Sequence, residues 1–118
     1  MTANPDDGAR VQRRLDDLSM FGGDAAYTVS LGIDAYLADS SQGRVLRNSG
    51  RHILIQVATV AEKLPADFKQ AHDSVDWIAL ARMRNLITHH YDKVDDRLVF
   101  AALERRIPTL LDALGKST

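Results

Sequence analysis

No cysteine occurs in the 118 residues, which excludes a disulfide framework, thiolate catalysis and thiolate metal sites and suits a reducing compartment. No run of about 18 apolar residues is present, so no membrane-spanning helix is expected. Repeats and low-complexity tracts are absent as well. The stretch MTANPDDGAR at the start is polar and acidic and lacks the apolar centre of a secretory signal. Residues 1–8 are expected to be a flexible N-terminus, and the protein is expected to be cytoplasmic. Nor is there an excess of basic charge: 15 Lys and Arg stand against 16 Asp and Glu, a net charge of −1, whereas proteins that bind duplex nucleic acid usually carry a basic balance. The distribution is less even than the sum. Asp6, Asp7, Asp16 and Asp17 concentrate acid early, while the stretch from Arg44 to Arg97 is locally basic and admits an anionic ligand.

What is present is 45% apolar and 26% charged residues, the balance of a soluble globular chain whose length suits one domain with its own core. Apolar or small residues recur at helical spacing from Val11 through Leu15, Leu18, Gly22, Ala25, Val29 and Ile33 to Leu37, which predicts one long helix, weakened or bent at Gly22 and Gly23. After the turn SSQG, a second helix is expected from Arg44 to Leu64, stopped by Pro65, and residues 65–72 read as a loop. Asp73 or Ser74 is the expected cap of a third helix. Asp95 can cap a fourth, running to Gly115 with a kink or restart near Ile107 ahead of Pro108. Nothing alternates with period two. The expected fold is all-α, an antiparallel bundle of four to five helices with short connections.

The third helix carries MRNLITHHYDKVD, residues 83 to 95. On a helical wheel at about 100° per residue, Arg84 falls within about 20° of Trp77, Tyr91 shares that stripe, and a polar sector holds Arg82, Asn85 and His89. Ile78, Met83, Leu86 and Ile87 cover much of the remaining circumference, so this helix is expected to be buried on several sides. A guanidinium among apolar neighbours needs a partner. In a structural account Arg84 pairs with a carboxylate of another helix and the histidines sit where a helix C-terminus favours cations. In a functional account Arg84 and His89 act together on a phosphodiester. A neutral imidazole can take a proton from a ribose 2′-hydroxyl near neutral pH, and a guanidinium can stabilise charge building on the phosphoryl oxygens. Five positions apart, the two side chains diverge by about 140° on a straight helix. They could meet if the helix ends near His89 or if two copies of it face each other in a dimer.

RNLITHHY, residues 84 to 91, resembles the signature of the HEPN superfamily: an arginine, a polar residue that is often asparagine, three further positions, and a histidine. The tyrosine two positions after that histidine narrows the similarity to the HepT-like toxins. RHILIQVATVAEKLP, DWIALARMRN and YDKVDDRLVFAALERRIPTLL follow that family's helical layout over most of the chain. The resemblance implies a HEPN-like bundle that forms a homodimer with its motif helices at a cleft. It also implies a metal-independent endoribonuclease toxin whose partner, a nucleotidyltransferase antitoxin, adds AMP to the tyrosine. On that pattern Arg84 and His89 are the catalytic pair, Asn85 and His90 support them, Tyr91 is the modified residue, RNA is the substrate, and neither cofactor nor metal is needed. The different-class alternative is a catalytically inactive HEPN module that binds a nucleotidyltransferase or a nucleotide. The sequence departs from the pattern in two places: Ala58, Thr59 and Val60 stand where members often have Gly-Glu, and Thr88 stands where an aliphatic residue is usual.

Other constellations carry less. His89, His90 and Asp92 have no i, i+4 pair among them, so a metal site is not expected. Arg44, Arg47 and Arg51 share a face that could track an RNA backbone, or be a solvated face paired with acids such as Asp34 and Asp39. Trp77 reads as a core anchor. His52 and His72 show no partner in sequence, and the glycines of MFGGDA lack the spacing of a phosphate loop.

Overall fold

The computed structural model describes residues 5–116. Helix α1 (Pro5–Ser30) and a short α2 (Ile33–Leu37) lead to α3 (Ser41–Glu62); α4 (Ala66–Ala71) then precedes α5 (Trp77–His89). A 3-10 turn (Tyr91–Lys93) connects α5 to α6 (Asp96–Ala101), which continues through a π turn (Ala102–Arg106) into α7 (Ile107–Ala113). The described residues contain no strand, and the architecture is the all-α bundle that the periodicity predicts. Of the segment 1–8, residues 1–4 lie outside the described residues and α1 already runs from Pro5.

The first helix breaks later than its glycines suggest. It passes unbroken through Gly22 and Gly23 and ends at Ser30, just before Gly32, whose φ of 88° only glycine adopts readily. Gly22 is needed for packing, since a Cβ there would fall on the Leu111 side chain of α7. Gly23 is different, because a Cβ there meets nothing within 4 Å. Gly23→Ala is therefore expected to stabilise the chain by about 0.5–1 kcal/mol. Urea titration should show a higher midpoint with an unchanged slope, and a lower midpoint would refute the open face.

Two further boundaries differ from the sequence reading. Residues 66–71 form α4 rather than a loop, since Pro65 presents its carbonyl to Lys69 N–H at 3.1 Å and starts a single turn. The cap of α5 is Asp76, accepting from Ala79 N–H at 2.9 Å, not Asp73 or Ser74. The Trp77 indole N–H donates to the carbonyls of Lys69 and His72 at 3.1 and 3.2 Å, which holds the 72–76 turn against α4 and delays the helix. Asp95 does cap α6, accepting from Arg97 N–H. Ahead of Pro108, the Ile107 N–H reaches back five residues to Ala102. That wider turn gives room to a ring that would otherwise crowd the Glu104 carbonyl.

Core side chains come from four directions: Leu15 and Leu18 of α1, Tyr36 of α2, Leu54 and Val57 of α3, and Phe100, Leu103 and Leu111 of the C-terminal run. Helix α5 joins this core through Ile87 alone as a fully buried residue. It lies antiparallel on α3, as its cross-links show: Arg84 reaches Glu62 while Tyr91 reaches Asn48. No helix among the described residues is long and apolar enough to cross a membrane.

Candidate functional site

Helix α5 is far more open than its apolar circumference suggests. Ile78 is 66% exposed and Leu86 48%, because α5 packs chiefly on α3. Burial on several sides is thus corrected to burial on one. Trp77 is the anchor expected of it, packed against the core with its N–H satisfied by the turn below.

Arg84 is positioned by α3. Its guanidinium donates to the Glu62 carboxylate in the last turn of that helix, and the contact holds Glu62 ionised below the usual carboxylate range, chiefly through the hydrogen bond. The family pattern puts an acid near Ala58 and Thr59, where this chain has none. Glu62 lies one turn further on the same face, and that i, i+4 relation to Ala58 is the signal in the sequence that would have found it.

His89 is the last residue of α5 and is exposed; His90 is its C-cap and Asn85 lies exposed one turn earlier. Among the described residues the His89 side chain shares no hydrogen bond with Arg84: one chain brings the arginine to α3 and leaves the histidine to solvent. Thr88 turns its hydroxyl onto the Arg84 carbonyl at 3.0 Å, so its departure from an aliphatic residue is absorbed within the helix.

Tyr91 does not continue the stripe of Trp77 and Arg84, because the helix ends before it. His90 at φ −131°, ψ 47° turns the chain, and Tyr91 opens the 3-10 turn with its hydroxyl donating to Asn48 Oδ1 at 2.8 Å. The Arg51 guanidinium stacks 4.2 Å from the ring centroid, donates to the Tyr91 carbonyl at 3.1 Å and binds Asp96 through two bonds of 2.8 Å. The hydrogen bond to Asp96 raises the Arg51 pKa further. Both partners are mostly buried, at 12% and 17% side-chain exposure, so the bidentate pair acts as a clamp between α3, α6 and the turn. Neither Asn48 nor this clamp is visible in sequence, since the contacts span 40 residues and more.

The clamp also decides what the Arg44, Arg47 and Arg51 face does. Arg47 donates to the carbonyls of Tyr36 and Ala38 at 3.0 and 2.8 Å, closing the end of α2, and Arg44 lies 3.9 Å from Asp39. Two of the three guanidinia are thus committed to the fold. His52 and His72 find partners four residues away in sequence, Gln56 and the Phe68 carbonyl.

Glu62 and Arg51 are 11 positions apart on α3, about 16 Å along its axis. Arg84 and Tyr91 therefore mark the two ends of a strip, with His89 between them on an open helix. An all-α bundle that presents an arginine and a histidine five positions apart at the end of one helix, with a tyrosine just beyond, is the layout that the HEPN resemblance implies. The model of the family described as Ribonuclease HepT-like matches residues 32–116, and the chain belongs to that family. It is similar to a protein of Thermococcus cleftensis described as a probable ribonuclease HepT, with 33% identity over 46% of this chain and 49% of that protein. It is also similar to a protein of Caldanaerobacter subterraneus subsp. tengcongensis described as a candidate RNase, with 30% identity over 46% of this chain and 48% of that protein. The matched stretch spans about half the length of each curated relative. No solved structure gives a significant match.

Proposed function

We propose that this protein is the toxin of a toxin–antitoxin pair, a metal-independent endoribonuclease that works as a cytoplasmic homodimer and is silenced when a nucleotidyltransferase antitoxin adenylylates Tyr91. The observation that carries the reading is the state of α5: Arg84 is oriented by Glu62, His89 stands free at the helix end, and only Ile87 is buried. In the proposed step the neutral His89 imidazole removes the 2′-hydroxyl proton and the 2′-oxygen bonds to phosphorus. The 5′-oxygen leaves with a proton from a second acid, for which the second copy's His89 is the candidate, and Arg84 stabilises the phosphoryl oxygens. The 2′-hydroxyl requirement selects RNA over DNA. Because Arg84 and His89 diverge within one chain, two copies meeting along the exposed Ile78, Asn85 and His89 edge would assemble the complete set. Asn85 and His90 are the polar support beside it. The Tyr91 hydroxyl is reachable at 55% residue exposure, and an adenylyl group there would break the bond to Asn48 and place a bulky anion beside His89.

The test uses protein whose intact mass shows no AMP adduct, incubated in excess chelator with labelled RNA and with DNA of the same sequence. Cleavage of the RNA alone, leaving 2′,3′-cyclic phosphate ends, is the expected result. Intact RNA across several types would overturn the nuclease and leave a HEPN module that binds its partner without chemistry.

A further inference from the structure

We propose that the groove between α5 and the α6–α7 run is the docking site for an acidic amphipathic helix of another protein. The groove encloses about 530 Å³, with Met83, Leu86, Ile87, Val94 and Leu98 among the residues that line it. Leu86 and Leu98 are 48% and 69% exposed, a large apolar face for a chain of this size to leave in water. Its rim is mostly basic. Arg82, Arg105 and Arg106 line it against the single carboxylate of Asp95.

These arginines are not spent on the fold. Among the described residues, Arg82 and Arg106 have no carboxylate within ion-pair distance, and Arg105 has only its neighbour Glu104 at 3.6 Å. Arg106 donates a guanidinium N–H to Met83 Sδ at 3.8 Å, which sets its charged head at the edge of the groove. The π turn at 102–106 carries both Arg105 and Arg106 to this edge.

An apolar channel between two helices accepts a third by its i, i+3, i+4 and i+7 side chains, and a flanking row of guanidinia favours carboxylates beside those anchors. RNA would satisfy the arginines but leave the leucines uncovered. A second copy docked symmetrically through the same groove would set one arginine rim against the other. The inference stands apart from RNA cleavage and is read by binding alone.

Two fluorescein-labelled peptides of about 16 residues, each with leucines at i, i+3, i+7 and i+10, test it by anisotropy with the full chain; one flanks the leucines with Glu, the other with Lys. Saturable binding of the Glu peptide is expected, at least about tenfold tighter than the Lys peptide. Leu98→Asp should weaken the Glu peptide about tenfold or more, and the double variant Arg105→Glu, Arg106→Glu should shift the preference toward the Lys peptide. Arg82→Glu, on an exposed position of α5, gives a third variant if either of these fails to fold by circular dichroism. Equal binding of both peptides, or no saturable binding, overturns the proposal. So does sedimentation in which Leu98→Asp converts a dimer to monomers, because a second copy then fills the groove.

Discussion

Replacing His89 by alanine is expected to slow RNA cleavage by a factor on the order of 10² to 10⁴, while the thermal midpoint stays within about 2 °C of the parent. The separation of the two effects follows from the helix end. His89 is exposed and makes no side-chain hydrogen bond among the described residues, so its removal leaves no buried group stranded. Arg84→Ala is expected to lose on the order of 10² to 10³ in kcat, again with little change in folding, because the Glu62 it releases faces solvent. Glu62→Gln discriminates further: it keeps an acceptor at the same place and removes its charge, so Arg84 should be oriented less firmly and kcat should fall more than KM rises. In an Arg84→Ala background the same Glu62→Gln change should have no further effect, since its whole action runs through the guanidinium. A His89→Ala chain that cleaves at the parent rate would remove the imidazole from the mechanism.

The long helices were legible because each carries an apolar stripe of its own, from Leu15 and Leu18 in α1 to Leu110 and Leu111 in α7. Short elements were not. The stripe passes through Gly32 in phase, so periodicity alone cannot show that the chain turns there and lays Tyr36 against α3. Six residues of α4 are too few to display a period. The motif residues were legible as types at a spacing, yet the wheel carried Tyr91 onto the Arg84 stripe because it assumes a helix that in fact ends at His89. What positions these residues was the least visible part. Glu62, Asn48, Arg51 and Asp96 each act across a contact that exists only once α3 has packed against α5 and α6. A sequence pattern names which groups could do chemistry, and tertiary contacts decide where they point.

Gly43→Ala is expected to destabilise the chain by about 3 kcal/mol, a fall of roughly 10 °C or more in Tm, in contrast to the gain expected at Gly23. A Cβ at Gly43 would fall on the Ala38 carbonyl oxygen and stand 2.9 Å from its carbon. That carbonyl cannot move away freely, because Arg47 holds it at 2.8 Å together with the Tyr36 carbonyl at 3.0 Å. Gly50 makes the second close approach between α2 and α3, but to a side chain: its Cβ would fall on the Tyr36 hydroxyl. Tyr36 is fully buried and its hydroxyl has no partner among the described residues, so burial pushes its pKa up and it stays protonated. Tyr36→Phe removes an unsatisfied buried group whose desolvation costs about 1–3 kcal/mol, and is expected to be neutral or stabilising. Gly50→Ala alone should cost about 2 kcal/mol, and Tyr36→Phe should recover part of that loss, the ring itself still standing 2.9 Å from the new methyl. The same Tyr36→Phe change should recover nothing of the Gly43→Ala loss, where the obstacle is backbone. The coupling matters for the site, since Asn48 and Arg51 flank Gly50 on α3 and hold the Tyr91 turn. Equal recovery of both glycine variants by Tyr36→Phe, beyond its effect on the parent and measured by urea titration of the six chains (parent, three single and two double variants), would show that the two contacts yield as one and that α2 is not pinned at the Ala38 carbonyl.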